Sequence, residues 1–149
     1  MTRTYGDAIT CWEYPPPFER YSLVGVPASH FADHANGFVA LVDTSEQVVG
    51  YRSFGPDGRV PGGTYDDTAL DTGGGLRPDL TGRGLGRSAI QIGLEYGWAT
   101  FEATTLRVTV WAKNERALRV VRSLGFEDVD HFVATSSGDQ YVILTLRGA

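Results

Sequence analysis

Between Leu76 and Ala89 the chain reads LRPDLTGRGLGRSA, with Gly82, Gly84 and Gly86 alternating with Arg83 and Leu85 and with Arg87 following. Glycines reach backbone angles that other residues resist, so consecutive amides can converge on one anion. Two arginines add charge and forked donors suited to phosphate. A flexible surface turn with solvated charges is the plainer reading of the same residues. The loop's context favours the anion, because a strand-like segment ends near Arg77, Pro78 interrupts it, and a helical pattern begins after the glycines. A helix start offers unpaired amides and partial positive charge.

Spacing excludes two familiar ligands. A phosphate loop of the form G-x-x-x-x-G-K-[ST] needs a lysine, and none stands here. A dinucleotide fingerprint G-x-G-x-x-G that starts at Gly82 ends on Arg87, one that starts at Gly84 ends on Ala89 in place of the last glycine, and the strands upstream read as hairpins rather than as a parallel repeat.

The surrounding elements must hold this loop. Gly37–Asp43 and Val48–Phe54 read as strands joined through Thr44–Gln47, a hairpin. The turn-rich stretch 55–67 reads as an exposed loop, and Thr68–Arg77 as a strand whose glycines let something approach its backbone. Ile90, Leu94, Gly97, Trp98 and Phe101 mark one face of an amphipathic helix, with core packing expected for Trp98 and Phe101. Leu106–Trp111 alternates as a strand. Asn114 reads as a helix cap, followed by a stripe of Ala117, Val120, Val121 and Leu124 that Gly125 ends. A late hairpin joins 130–135 to 140–146. The three consecutive prolines of Pro15–Pro17 exclude regular structure near Trp12, Tyr14 and Phe18, and a short helix is expected over Val26–His34. The order predicts a mixed α/β (α+β) domain.

Composition limits the partners. The chain has 149 residues, a formal net charge of −5 and one cysteine, Cys11. One domain over residues 1–149 is expected. An acidic chain is a poor general ligand for nucleic acid, and a lone cysteine allows neither an internal disulfide nor a cysteine metal cluster. No apolar run is long enough to span a bilayer and no signal peptide is legible, so no membrane association and a cytoplasmic location are expected.

Taken together, LRPDLTGRGLGRSA and the downstream NERALRVVRSLGF resemble the two signature segments of the GNAT superfamily of N-acetyltransferases. Thr81–Gly86 lies in the register of [RQ]-x-x-G-x-[GA], and Asn114, Ala117, Gly125 and Phe126 match N-x-x-A-x-x-x-Y-x-x-x-G-F. The resemblance implies a mostly antiparallel central sheet flanked by helices, with two strands splayed at the cofactor site, and acetyl-CoA as co-substrate without a metal. It also implies cofactor contacts at Gly75, Leu76, Arg77, Thr81, Gly82, Arg83, Gly84, Leu85, Gly86, Arg87, Asn114 and Ala117. The implied reaction moves an acetyl group to a primary amine, by direct attack in a ternary complex.

Two departures stand against this pattern. Thr81 replaces the first signature residue, and Val121 falls where many members carry a tyrosine that protonates the departing thiolate. A coenzyme A-binding module with little catalysis is therefore the alternative. Asp71 is the first candidate for a general base, followed by Asp67 and Glu13, with a solvated carboxylate as the plainer reading. His30 and His34 are four apart but lack a third ligand, so surface histidines are expected rather than a metal site. His131 reads as an ordinary strand residue. Trp12, Tyr14 and Phe18 fit either a substrate pocket or a cover over the core, and Cys11 shows no activating partner. The acceptor amine is open, and a homodimer is possible.

Overall fold

The computed structural model describes residues 1–149, and its elements follow the predicted order with one addition. A helix α1, Arg3–Thr10, opens the chain, and the Thr2 hydroxyl accepts the Tyr5 N–H at its start. Only Gly6 and Ile9 of this helix are buried, which is too short an apolar stripe to announce it in sequence. Helix α2 spans only Ala28–Ala32, because Asp33 turns extended and caps a separate short turn at His34–Asn36.

Six strands form one sheet: β1 Phe38–Val42, β2 Val48–Phe54, β3 Leu70–Leu76, β4 Thr105–Trp111, β5 Glu127–Val133 and β6 Gln140–Arg147. Their order is β1-β2-β3-β4-β6-β5. All neighbours run antiparallel except β3 and β4. Two helices complete the frame, α3 at Gly86–Phe101 and α4 at Glu115–Ser123. Asn114 caps α4 as expected, its Oδ1 accepting the Ala117 N–H at 3.1 Å.

The core on the α3/α4 side joins Leu94, Leu118, Val121 and Phe126 to Leu106, Val108, Val142 and Leu144 of the sheet. The opposite face buries Ile9, Trp12, Phe31 and Val48 under the N-terminal helices. The stripe expected on α4 divides accordingly. Leu118 and Val121 enter the core, whereas Ala117 and Val120 face a cleft. Trp98 packs against the core, but Phe101 is 40 % exposed and stacks on Phe54 at 5.1 Å between ring centroids.

β3 and β4 meet at only two positions, Leu70↔Leu106 and Asp71↔Arg107. An ion pair closes that junction. Arg107 donates from Nε to Asp71 Oδ1 at 2.6 Å and from Nη2 to Oδ2 at 2.9 Å. Arg59 donates to the same Oδ2 at 2.7 Å, and Arg107 Nη1 reaches Asp66 at 3.0 Å. Asp66 is driven down to about 2, first by the Thr68 hydroxyl, then by the Thr68 N–H and the Arg107 guanidinium. Its contribution is present above the ordinary carboxylate range and is lost as pH falls through about 2. Asp71→Ala leaves the Arg107 guanidinium without its partner in the interior, so it should destabilise the protein by roughly 3–5 kcal/mol. Urea unfolding measures this, and a loss below about 1 kcal/mol would show that the pair is not what closes the junction.

Candidate functional site

Above that junction β3 and β4 part, and the wedge between them is the main cleft of the molecule. β3 stays with β2. The Arg77 N–H bonds the Val49 carbonyl, and the Gly55 N–H bonds the Asp71 carbonyl. In that antiparallel register the odd residues of β3 pair with β2, so Thr72, Gly74 and Leu76 turn their backbone groups toward the wedge. The Tyr14 hydroxyl donates to the Leu76 carbonyl there. Gly74 has φ +155°, and a Cβ at that position would collide with the Tyr51 carbonyl oxygen. The glycine therefore serves a close backbone packing that a side chain would prevent.

The glycine loop lies at the open end. Gly82 and Gly84 take φ values of +71° and +78°, left-handed turns that suit glycine. They deliver the chain to α3, whose first turn has no side-chain cap and no acidic residue. Its free amides therefore offer a place for an anion. Opposite, α4 presents Arg116, Ala117, Arg119, Val120 and Ser123. The Arg87 guanidinium crosses to the Ser123 hydroxyl at 2.5 Å and so bridges the two helices.

The cleft encloses about 580 Å³, within the range of small-molecule sites. Arg52, Arg87, Arg116 and Arg119 line it, and none of its 22 lining residues is acidic or histidine. A chain of net charge −5 thus concentrates cations around one cavity, as a polyanionic ligand requires. Tyr14, Phe18, Tyr21 and Tyr51 form the apolar wall. Burial raises the Tyr14 hydroxyl far above its ordinary value and pushes Tyr51 up to about 12. Both are hydrogen-bond donors at neutral pH.

Of the residues named from sequence, Gly75, Leu76, Thr81, Gly82, Gly84, Gly86, Arg87, Asn114 and Ala117 line the cleft. The side chains of Arg77, Arg83 and Leu85 do not. Arg77 turns to Asp79 at 2.6 Å, and Leu85 lines a separate apolar groove with Leu80 and Ile92. Asn114 stands at the wall, its Nδ2 donating to the Tyr21 hydroxyl at 3.0 Å. The ambiguous aromatics separate: Tyr14 and Phe18 line the cleft, while Trp12 is buried in the second core.

The expected base does not reach the cleft. Asp71 is 2 % exposed, with both carboxylate oxygens committed to Arg107 and Arg59. Asp71 does lie on the strand that leads to the loop, but its side chain points to the β4 junction. Asp67 and Glu13 are exposed and lie outside the cleft. Val121 is 3 % exposed in the core, so a tyrosine there would overpack that core before it reached a ligand.

The histidine spacing has a simple explanation. α2 ends before His34, and His30 instead faces Asp57 at 3.2 Å and Asn36. Cys11 is exposed, and His131 lies on the edge strand β5. No helix is long and apolar enough to cross a membrane. Tyr51, Arg52, Arg116, Arg119 and Ser123 were not singled out from sequence. The i, i+3, i+4, i+7 spacing of Arg116, Arg119, Val120 and Ser123 could have revealed that face of α4.

The model of the acetyltransferase (GNAT) domain family matches residues 6–127. The chain belongs to the GNAT acetyltransferase family. No curated protein sequence matches it. Among solved structures, a spermidine N-acetyltransferase SpeG chimera from Vibrio cholerae and hSSAT aligns with a TM-score of 0.73 at 17 % identity, over 99 % of this chain and 92 % of that one. The ribosomal-protein-S5-alanine acetyltransferase of Vibrio fischeri aligns with a TM-score of 0.65 at 13 % identity, over 99 % and 90 %. Campylobacter jejuni N-acetyltransferase PseH in complex with acetyl coenzyme A aligns with a TM-score of 0.52 at 19 % identity, over 72 % and 64 %.

Coenzyme A fits the residues present: uncapped amides and arginines for phosphates at the open end, and an unpaired strand edge for an amide-bearing arm. Arg87→Glu should weaken coenzyme A at least about tenfold in isothermal titration, because it sets like charge beside phosphate. Arg83→Glu, outside the cleft, should weaken it less. An equal loss in both variants would mean that bulk charge, not the cleft, attracts the ligand.

Proposed function

We propose that the protein transfers an acetyl group from acetyl-CoA to a primary amine by direct attack in a ternary complex. The observation that carries this reading is the cleft itself. It opens on an uncapped helix start ringed by arginines, closes at the β3–β4 junction and has an unpaired strand edge along its length. Acetyl-CoA supplies, when bound, a thioester carbonyl carbon open to a nitrogen nucleophile.

The chain's own residues align and bind. The amides at the start of α3, with Arg87, Arg116 and Arg119, hold the phosphates. The edge of β3 at Thr72, Gly74 and Leu76 pairs with the amides of the arm as an absent strand would. Tyr14 fixes that edge through the Leu76 carbonyl. Orientation of this kind contributes about 7–11 kcal/mol in favourable systems. A thiolate whose conjugate acid has a pKa near ~8.5 departs without prior protonation, so Val121 does not prevent turnover.

No lining residue is a carboxylate or an imidazole, so the attacking amine enters neutral and releases its proton to water. For an alkylamine, kcat/KM should therefore rise with pH along the neutral-amine fraction, with a slope of about one on logarithmic axes. An inflection between about pH 4 and 7 would overturn this, because it would report an enzyme carboxylate or histidine acting as base. Coenzyme A titration tests the cleft, and amine-dependent thiol release tests the chemistry. Binding without release by any amine would favour the second reading, a coenzyme A-binding module, whose motive is the valine at position 121.

A further inference from the structure

Arg52 is the one arginine of the cleft wall that is buried in the sheet. It rises from β2 on the α3 side of the sheet, is 6 % exposed and forms no ion pair. Its Nη2 donates to the Thr72 hydroxyl at 3.0 Å, and its Nε is the one buried side-chain polar atom in the protein without a partner. The contrast with Arg107 is direct, since that equally buried guanidinium is met by two carboxylates.

The surroundings are cut to admit Arg52. A Cβ at Gly93 of α3 would stand 2.8–2.9 Å from its Cγ, Cδ and Nε, and one at Gly74 would stand 2.9 Å from its Cδ and Nη1. Two glycines thus leave a slot through which the side chain reaches the cleft wall, where it is a lining residue. Burial lowers its pKa to about 10, so it is still a cation at neutral pH.

Its depth indicates what it meets. Thr72 directly follows Asp71, the last β3 residue paired with β4, so the guanidinium lies at the closed end of the wedge. The phosphate loop is at the open end. Leu76 is four residues up β3, about 13 Å away, and Gly93 is seven residues into α3, about 10 Å from its start. The guanidinium therefore stands too deep for the phosphates and beside the acyl end of any thioester that fills the cleft. A desolvated guanidinium gains little from a methyl group. A carboxylate matches the fork of its guanidinium.

We propose that the cleft accepts acyl-CoA donors whose acyl chain ends in a carboxylate, with Arg52 as the residue that recognises it. This rests on the coenzyme A reading of the cleft and extends it from acetyl to dicarboxylic acyl groups. In the transfer the amine nitrogen forms a bond to the thioester carbon and the carbon–sulfur bond breaks. The electron pair leaves with sulfur, the amine proton goes to solvent, and the terminal carboxylate is unchanged.

The test compares succinyl-CoA with butyryl-CoA, equal in chain length and different in terminal charge, alongside free coenzyme A. Isothermal titration of the wild type should show succinyl-CoA binding at least about tenfold tighter than butyryl-CoA, as a charge-assisted bond confers. Arg52→Met should erase that preference, costing succinyl-CoA at least about tenfold more affinity than it costs butyryl-CoA or free coenzyme A, and Arg52→Lys should keep part of it. Methionine replaces a buried, unpaired charge, so the variant should fold, and the wild-type comparison stands alone if it does not. Equal affinities in the wild type would overturn the proposal. So would an Arg52→Met variant that weakens all three ligands alike, since Arg52 would then hold the common arm. Failure of the wild type to bind free coenzyme A would overturn the cleft reading itself, a result distinct from a missing preference.

Discussion

The ion pair between Asp71 and Arg107 decides the geometry of everything above it. Two strands that run parallel for only two residues would ordinarily be held by little more than a few backbone bonds. Here a bidentate carboxylate–guanidinium contact, with Arg59 and Asp66 at its sides, concentrates the attraction at one point. β3 then follows β2 and β4 follows β6, so the sheet divides without losing its core. The wedge exists because the adhesion is local. Had β3 and β4 paired along their length, the edge at Thr72, Gly74 and Leu76 would be consumed by the sheet.

The two helices exploit that opening from one side. α3 delivers its uncapped start to the mouth, and α4 turns its cationic face inward while Leu118 and Val121 anchor its other face in the core. The same sheet separates two classes of arginine. Arg107 is compensated by acid and is structural; Arg52, Arg87, Arg116 and Arg119 face the cavity without acidic company. A protein with a surplus of acid overall thereby gathers four arginines around one cavity, where the local field rather than the total charge sets the electrostatics.

The reading of Asp71 shows where sequence reasoning met its limit. Its strand and its nearness to the glycine loop were legible, and a carboxylate there invited a catalytic role. Side-chain direction follows from register with a strand 36 residues away, and no local pattern encodes that partner. Val121 carries the same lesson. A signature aligned it with a tyrosine, but packing turned it into the core and its neighbour Val120 toward the cleft. Arg52 gave no signal in sequence, since a lone arginine in an alternating strand reads as a solvent-facing residue.

Local chemistry explains what could be known from the chain alone. Alternating apolar residues, the Asn114 cap, the turn glycines and the loop before α3 act over a few neighbours, so the strands, the two long helices and the glycine loop between β3 and α3 were all legible. The resemblance of two motifs added the fold family. Tertiary structure alone decided which carboxylate is structural, which tyrosines wall the cleft and which arginines stand unpaired. Those properties depend on groups far apart in sequence meeting across a wedge whose shape one buried ion pair sets.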